Sequence, residues 1–166
     1  MSSMHESAIP QDLVPSSQGD TKRVVLVADD YPENRRLLYF YLRGQYEVLQ
    51  AATAEEAIEV MHDTSVDLVI MDLNFCDGMS GIDAIRVIRD DAAINDVRVL
   101  ALTAYAYPDD RQRCLEAGFD DYISKPVFKN DLLNKLSTML GSSNSGDGAG
   151  PASPDSVWIS RPDMEE

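Results

Sequence analysis

The sequence predicts a doubly wound α/β fold, a five-stranded parallel sheet with helices on both faces. Three observations lead there. Five short β-rich apolar runs alternate with segments of helical period. The runs are continuously apolar, as strands buried on both faces are, rather than alternating. Most of them end in a polar residue, and in open α/β sheets ligands bind beyond the carboxyl ends of the strands.

Val24–Ala28 is the first strand and ends in Asp29 and Asp30. Helical period follows from Asn34 to Arg43 and stops at Gly44. Tyr46–Ala51 is the second strand. Thr53 and Glu56 then form a capping box for a helix carrying Ala57, Ile58 and Met61. Leu68–Met71 is the third strand, ending at Asp72. Ser80 with Asp83 caps a helix bearing Ile82, Ile85 and Ile88. Val97–Leu102 is the fourth strand, ending at Thr103, and Arg111–Ala117 is a helix closed by Gly118. Tyr122–Ser124 is a short fifth strand before Lys125 and Pro126. Leu132, Leu133, Leu136, Met139 and Leu140 mark the last helix.

These elements make one domain over residues 22–140. The flanks, 1–21 and 141–166, are polar and aperiodic and are expected to be disordered tails. Trp158 and Ile159 interrupt the second of them. The formal net charge of −15 argues against nucleic acid and against an anionic membrane surface, both of which call for a basic footprint. No apolar run is long enough to span a bilayer and no secretory signal is visible. With only Cys76 and Cys114, a reducing, cytoplasmic setting is expected, with both thiols structural.

In this topology Asp29, Asp30, Asp72, Thr103 and Lys125 meet at one edge of the sheet. Three carboxylates brought together repel one another, and an oxygen-binding cation such as Mg²⁺ (or Mn²⁺) relieves the repulsion while keeping positions open for phosphoryl oxygens. A carboxylate can then act as the nucleophile in phosphoryl transfer. Asp29 and Asp30 are assigned to the metal, directly or through water. Asp72 is assigned to the metal and to attack on phosphorus, and the backbone carbonyl of Asn74 supplies a further ligand. Lys125 and the Thr103 hydroxyl are assigned to phosphoryl oxygens. Each residue alone has a plainer reading: a turn for Asp29-Asp30, a helix cap for Asp72, a strand terminus for Thr103, a solvated Lys125. Their common edge outweighs these.

The segments VVLVADD (24–30), LVIMDLN (68–74), VLALTAY (99–105) and YISKP (122–126), in this order and spacing, resemble the response-regulator receiver domain of two-component and phosphorelay signalling. The resemblance implies the flavodoxin-like (βα)5 receiver fold over residues 22–140. It implies an aspartyl phosphate on Asp72, donated by a histidine kinase or histidine-phosphotransfer protein, and a cis bond before Pro126 that aims Lys125 into the site. It also implies a switch in which Thr103 moves toward the phosphoryl group, Tyr122 swings inward, and the surface of residues 107–140 changes shape. The expected function is that of a stand-alone response regulator, a phospho-acceptor switch of partner binding that catalyses only its own phosphorylation and dephosphorylation. One departure stands out: Cys76 lies where the family usually has proline, in a loop between Asp72 and Gly81 one residue longer than the commonest form. Asn74 and Tyr105 are expected to flank the phosphoryl group.

On the first helix, Leu38, Leu42 and Tyr41 are expected to face the core, which turns Tyr39 and Phe40 outward as a docking patch for the donor's helices. Two rival functions remain. One is an aspartate-nucleophile phosphohydrolase resembling the haloacid dehalogenase group, disfavoured because its DxD motif is absent. The other is a phosphate-independent binding module, disfavoured because Asp72, Thr103 and Lys125 are all present. A flavin-binding module is weaker still, since no phosphate-binding loop follows the first strand.

Overall fold

The computed structural model describes residues 21–104 and 107–141. Five strands and five helices alternate: β1 (Val24–Ala28), α1 (Pro32–Leu42), β2 (Glu47–Ala51), α2 (Ala54–Asp63), β3 (Leu68–Asp72), α3 (Gly81–Asp90), β4 (Arg98–Thr103), α4 (Pro108–Ala117), β5 (Asp121–Ser124) and α5 (Lys129–Leu140). The strands form one parallel sheet in the order β2-β1-β3-β4-β5. The predicted doubly wound fold is therefore the observed one. Residues 1–20, 105, 106 and 142–166, and with them both flanking tails, Tyr105 and Trp158, lie outside the described residues.

Alternate side chains of each strand feed separate cores, because successive Cβ atoms point to opposite faces. Leu26 and Ala28 join Val69, Met71, Val99 and Ala101 beneath α2, α3 and α4. Val25 and Val27 join Leu68, Ile70, Leu100 and Leu102 beneath α1 and α5, through Leu38, Leu42, Leu132, Leu136 and Leu140. Burial on both faces explains the uninterrupted apolar runs.

Two helix starts fall earlier than the apolar period alone suggests. α1 begins at Pro32 and α4 at Pro108, each proline in the first turn, where its missing N–H costs nothing. Thr53 Oγ1 accepts from Glu56 N at 3.1 Å, while the Glu56 carboxylate accepts from Ala52 N at 2.7 Å. Ser80 Oγ likewise accepts from Asp83 N at 3.1 Å. Arg89 ties the end of α3 to the segments that lead into β4 and β5: its guanidinium donates to the carbonyls of Asn95, Val97 and Gly118 and to Asp120 Oδ2. Among the described residues no helix is long and apolar enough to cross a membrane.

Strand register positions the functional edge. Ala28 pairs with Met71, Asp72 with Leu102, and Thr103 with Ser124. Asp29, just beyond, is thereby brought level with Asp72, and Lys125 follows one residue past the level of Thr103.

Candidate functional site

Asp29, Asp30 and Asp72 each offer a carboxylate oxygen such that all three lie within 4.8 Å of one another. Asp29 and Asp72 are buried at the ends of β1 and β3. Lys125, following β5, reaches across to both, with Nζ 2.7 Å from Asp72 Oδ2 and 3.2 Å from Asp29 Oδ2. Thr103 is buried at the end of β4. The Lys125–Pro126 bond is cis.

The carboxylates differ in what they already hold. Asp29 Oδ1 accepts from Tyr31 N at 2.9 Å, and the Asn34 amide donates to both Asp29 oxygens, at 3.3 and 3.1 Å. With Lys125, most of its lone-pair directions are used. Asp72 Oδ1 accepts from Asn74 N at 3.0 Å. Asp30 Oδ2 accepts from Cys76 N at 2.8 Å, whereas Asp30 Oδ1 is buried with no hydrogen-bond partner. An orphaned anionic oxygen costs free energy unless a donor or cation meets it. This oxygen, in a set of three carboxylates, fits a hard divalent cation such as Mg²⁺.

Burial raises the Asp72 carboxyl above the ordinary carboxylate range, with the neighbouring Asp29 adding to it, against the opposing hydrogen bond from Lys125. Burial works against the charged form of Lys125 too, but its hydrogen bond to Asp72 and the two carboxylates outweigh it and hold the ammonium above its usual value. For Asp30, burial works against the charged form, but donation from the Cys76 thiol and from backbone N–H groups together outweighs it and lowers the pKa.

A cleft of about 440 Å³ opens over Asp72 and is lined by Tyr31, Asn74, Phe75, Cys76, Ala104 and Lys125. Gly81, which opens α3, packs so tightly against the end of β3 that a Cβ there would collide with the Asp72 carbonyl oxygen. Gly78, at φ +79°, backs onto Glu55, whose carboxylate accepts from Met79 N at 2.8 Å.

Sequence reasoning missed several residues that shape the site: Asn34, Glu55, Gly81 and the pair Tyr31–Cys76, whose oxygen and sulfur are 3.6 Å apart. Asn34 had a readable signal, a short amide five residues after Asp29 in the first turn of a helix. The others depend on contacts distant in sequence. Of the two thiols read as structural, Cys114 is buried and Cys76 is exposed at the mouth of the cleft. Tyr122 is half-buried on β5, and the Lys135 ammonium lies 5.8 Å from its ring centre. Tyr39 is half-buried and Phe40 exposed, with their rings edge to face at 5.8 Å. They lie on α1, apart from the acidic cluster.

Fold and acidic pocket together define a signalling receiver of the doubly wound α/β class. The chain belongs to the response regulator receiver domain family, whose model matches residues 25–137, and it is a receiver domain of two-component signalling. It is 31% identical over 130 residues to the phosphate regulon transcriptional regulatory protein PhoB of Pseudomonas aeruginosa, a match covering 78% of this chain and 56% of that protein. The chain thus spans about half the length of the PhoB relatives it matches. Among solved structures it is similar to the receiver domain of the sensor histidine kinase PA1611 from Pseudomonas aeruginosa, determined with a magnesium ion coordinated in the active site cleft. That match has a TM-score of 0.66 and 31% identity, and covers 73% of this chain and 99% of that one. It is also similar to a chain in the co-crystal structure of the Saccharomyces cerevisiae phosphotransfer protein Ypd1 with the receiver domain of Ssk1, at TM-score 0.65 and 29% identity, covering 70% of this chain and 88% of that one.

Proposed function

We propose that this chain is a phosphorylation switch in which Asp72 accepts a phosphoryl group from a histidine kinase or histidine-phosphotransfer protein and thereby changes partner binding. The observation that carries the reading is the convergence of Asp29, Asp30 and Asp72 within 4.8 Å, with Lys125 2.7 Å from Asp72. The receiver domain is assigned to residues 22–140 of a cytoplasmic regulator.

Asp72 Oδ2 is the attacking oxygen. Its bond to phosphorus forms as the donor's phosphorus–nitrogen bond breaks, and the imidazole, already protonated on its other ring nitrogen, leaves as the neutral ring. Asn74 N, bonded to Oδ1, holds the carboxylate in one rotamer during the attack. The Lys125 ammonium exchanges Asp72 for a phosphoryl oxygen as charge moves outward, and the Thr103 hydroxyl takes another. Asp29, Asp30, Asp72 and the Asn74 carbonyl would hold Mg²⁺, Asp29 and Asp30 directly or through water. When bound, the cation neutralises the carboxylates and the incoming phosphoryl oxygens. The chain's catalysis is confined to its own phosphorylation and dephosphorylation. Thr103 and half-buried Tyr122 form the switch that relays the new charge to α4, β5 and α5.

A groove of about 300 Å³ between α1 and the segment after β5 runs from Asp29 and Lys125 past Leu37, Tyr41, Val127 and Phe128. Leu37 and Phe128 are exposed on it. With Tyr39 and Phe40 further along α1, it offers an apolar seat for the donor's helices beside the reactive carboxylate. The Ypd1–Ssk1 co-crystal supports a phosphotransfer protein as the donor class. The test is labelling with a small phosphodonor, acetyl phosphate, in Mg²⁺: a single acid-stable, base-labile phosphoryl group is expected, absent from Asp72→Asn.

A further inference from the structure

The solvent face of α1 carries a feature that the phosphoryl chemistry does not use. Phe40 is 47% exposed. Arg36 and Arg43, one helical turn to either side, clamp its ring, their guanidinium carbons 5.8 and 5.0 Å from its centre. Both arginines are exposed, and among the described residues neither is ion-paired. Lys22 adds a third cation by donating to the Arg43 carbonyl at 3.3 Å. In a chain of net charge −15, an unpaired basic and aromatic stripe is a local inversion of sign.

The same chain contains a segment complementary to it. Residues 142–166 hold Asp147, Asp155, Asp163, Glu165 and Glu166 against Arg161, with Val157, Trp158 and Ile159 at their centre. This segment follows α5 at Leu140, and Leu136 and Leu140 share one core with Leu38 and Leu42 of α1. Both helices run back from the functional edge, so Gly141 leaves at the end of the domain where Arg43 and Lys22 lie. A Gly/Ser-rich linker of the length from Gly141 to Trp158 has a root-mean-square reach of roughly 23 Å. The stripe from Arg36 to Arg43 is about 10 Å long.

We propose that the segment around Trp158 docks in cis on the Arg36–Phe40–Arg43 stripe. The indole stacks on a guanidinium, the most favourable aromatic partner for a cation, and the flanking carboxylates pair with the free arginines. A tether of this length supplies an effective concentration on the order of millimolar, so even millimolar intrinsic affinity leaves the stripe about half occupied. If α1 is also the donor's seat, as proposed above, the docked segment screens it and slows transfer from a protein donor. That consequence rests on the earlier reading; the docking itself does not.

Trp158 is the only tryptophan, so its fluorescence reports the segment directly. In the full chain at low salt, the acrylamide quenching constant is expected to be about half that of the free peptide of residues 150–166, at half occupancy of the stripe. It should return to the peptide value in the double variant Arg36→Glu/Arg43→Glu, in Phe40→Ala, and in about 0.5 M NaCl, where charges are screened within a few ångströms. Circular dichroism of each variant separates lost docking from lost fold. A full-chain constant equal to the peptide's overturns the proposal, as does protection that survives charge reversal in a folded variant. Protection that appears only on raising the protein concentration places the segment on a second copy and also overturns docking in cis. Acetyl phosphate labelling of the same unmodified preparation reports the phosphoacceptor reading separately.

Discussion

Lys125 Nζ stands 2.7 Å from Asp72 Oδ2 and 3.2 Å from Asp29 Oδ2, so one ammonium bridges two buried carboxylates from different strands. Lys125→Met should leave those carboxylates facing each other without a counter-charge. Because the Lys125 side chain is 25% exposed, the loss is expected at about 2–4 kcal/mol in metal-free urea unfolding, toward the lower end for a broken buried pair. Mg²⁺ should restore part of it. Acetyl phosphate labelling should fall by about 10²-fold or more, the scale for removing one aligned charge-stabilising donor.

The raised Asp72 pKa sets a pH dependence with a definite sign. The nucleophile must be ionised, and in the metal-free protein the Asp72 carboxyl, followed by NMR, should take up its proton on acidification at a higher pH than an exposed aspartate does, near 3.9. For stability, the native state binds the Asp72 proton more tightly than the unfolded chain does. Its contribution is therefore greatest at low pH and is lost as pH rises from the unfolded value through the raised native one. The difference in unfolding free energy between the parent and Asp72→Asn, measured across that window in chelator, should move in favour of the Asn variant with rising pH.

A Cβ added at Gly81 would fall where the Asp72 and Leu73 backbone passes, so Gly81→Ala should push the end of β3 away from the site. A cost of about 1–3 kcal/mol is expected from overpacking, together with slower labelling. At Gly44 an added Cβ would meet nothing within 4 Å, and the backbone there is one that L residues adopt, so Gly44→Ala should be neutral or stabilising by up to about 1 kcal/mol. Thermal unfolding of the two variants makes the comparison.

Most of the sheet was legible in the sequence because burial on both faces leaves continuous apolar runs, and because most of the runs stop at a polar residue. Asp29, Asp72, Thr103 and Lys125 were findable for that reason: strand ends in a parallel sheet share an edge. The starts of α1 and α4 were less legible, since Pro32 and Pro108 interrupt the apolar period while being well suited to a first turn. Gly81 and Glu55 were not legible as parts of the site, and Cys76 was legible only as a departure in the loop after Asp72. Each acts through a contact set by tertiary packing, with the Asp72 carbonyl, Met79 N and Asp30 respectively.

Charged replacements at Tyr39 and Phe40 test the donor's seat. Phe40→Glu and Tyr39→Glu should lower the ratio of the transfer rate from a phosphorylated histidine-phosphotransfer protein to the labelling rate with acetyl phosphate, by about tenfold for a contact worth about 1.4 kcal/mol. An equal loss with both donors would place these residues outside docking.

The central claim is that the acidic ends of β1 and β3 hold one cation and so make Asp72 reactive. Intact-mass measurement after incubation with acetyl phosphate tests it most directly. One phosphoryl increment should appear with Mg²⁺, disappear in chelator, and be missing from Asp72→Asn and strongly reduced in Asp30→Asn. Labelling that proceeds equally without divalent metal, or that persists in Asp72→Asn, would contradict the account.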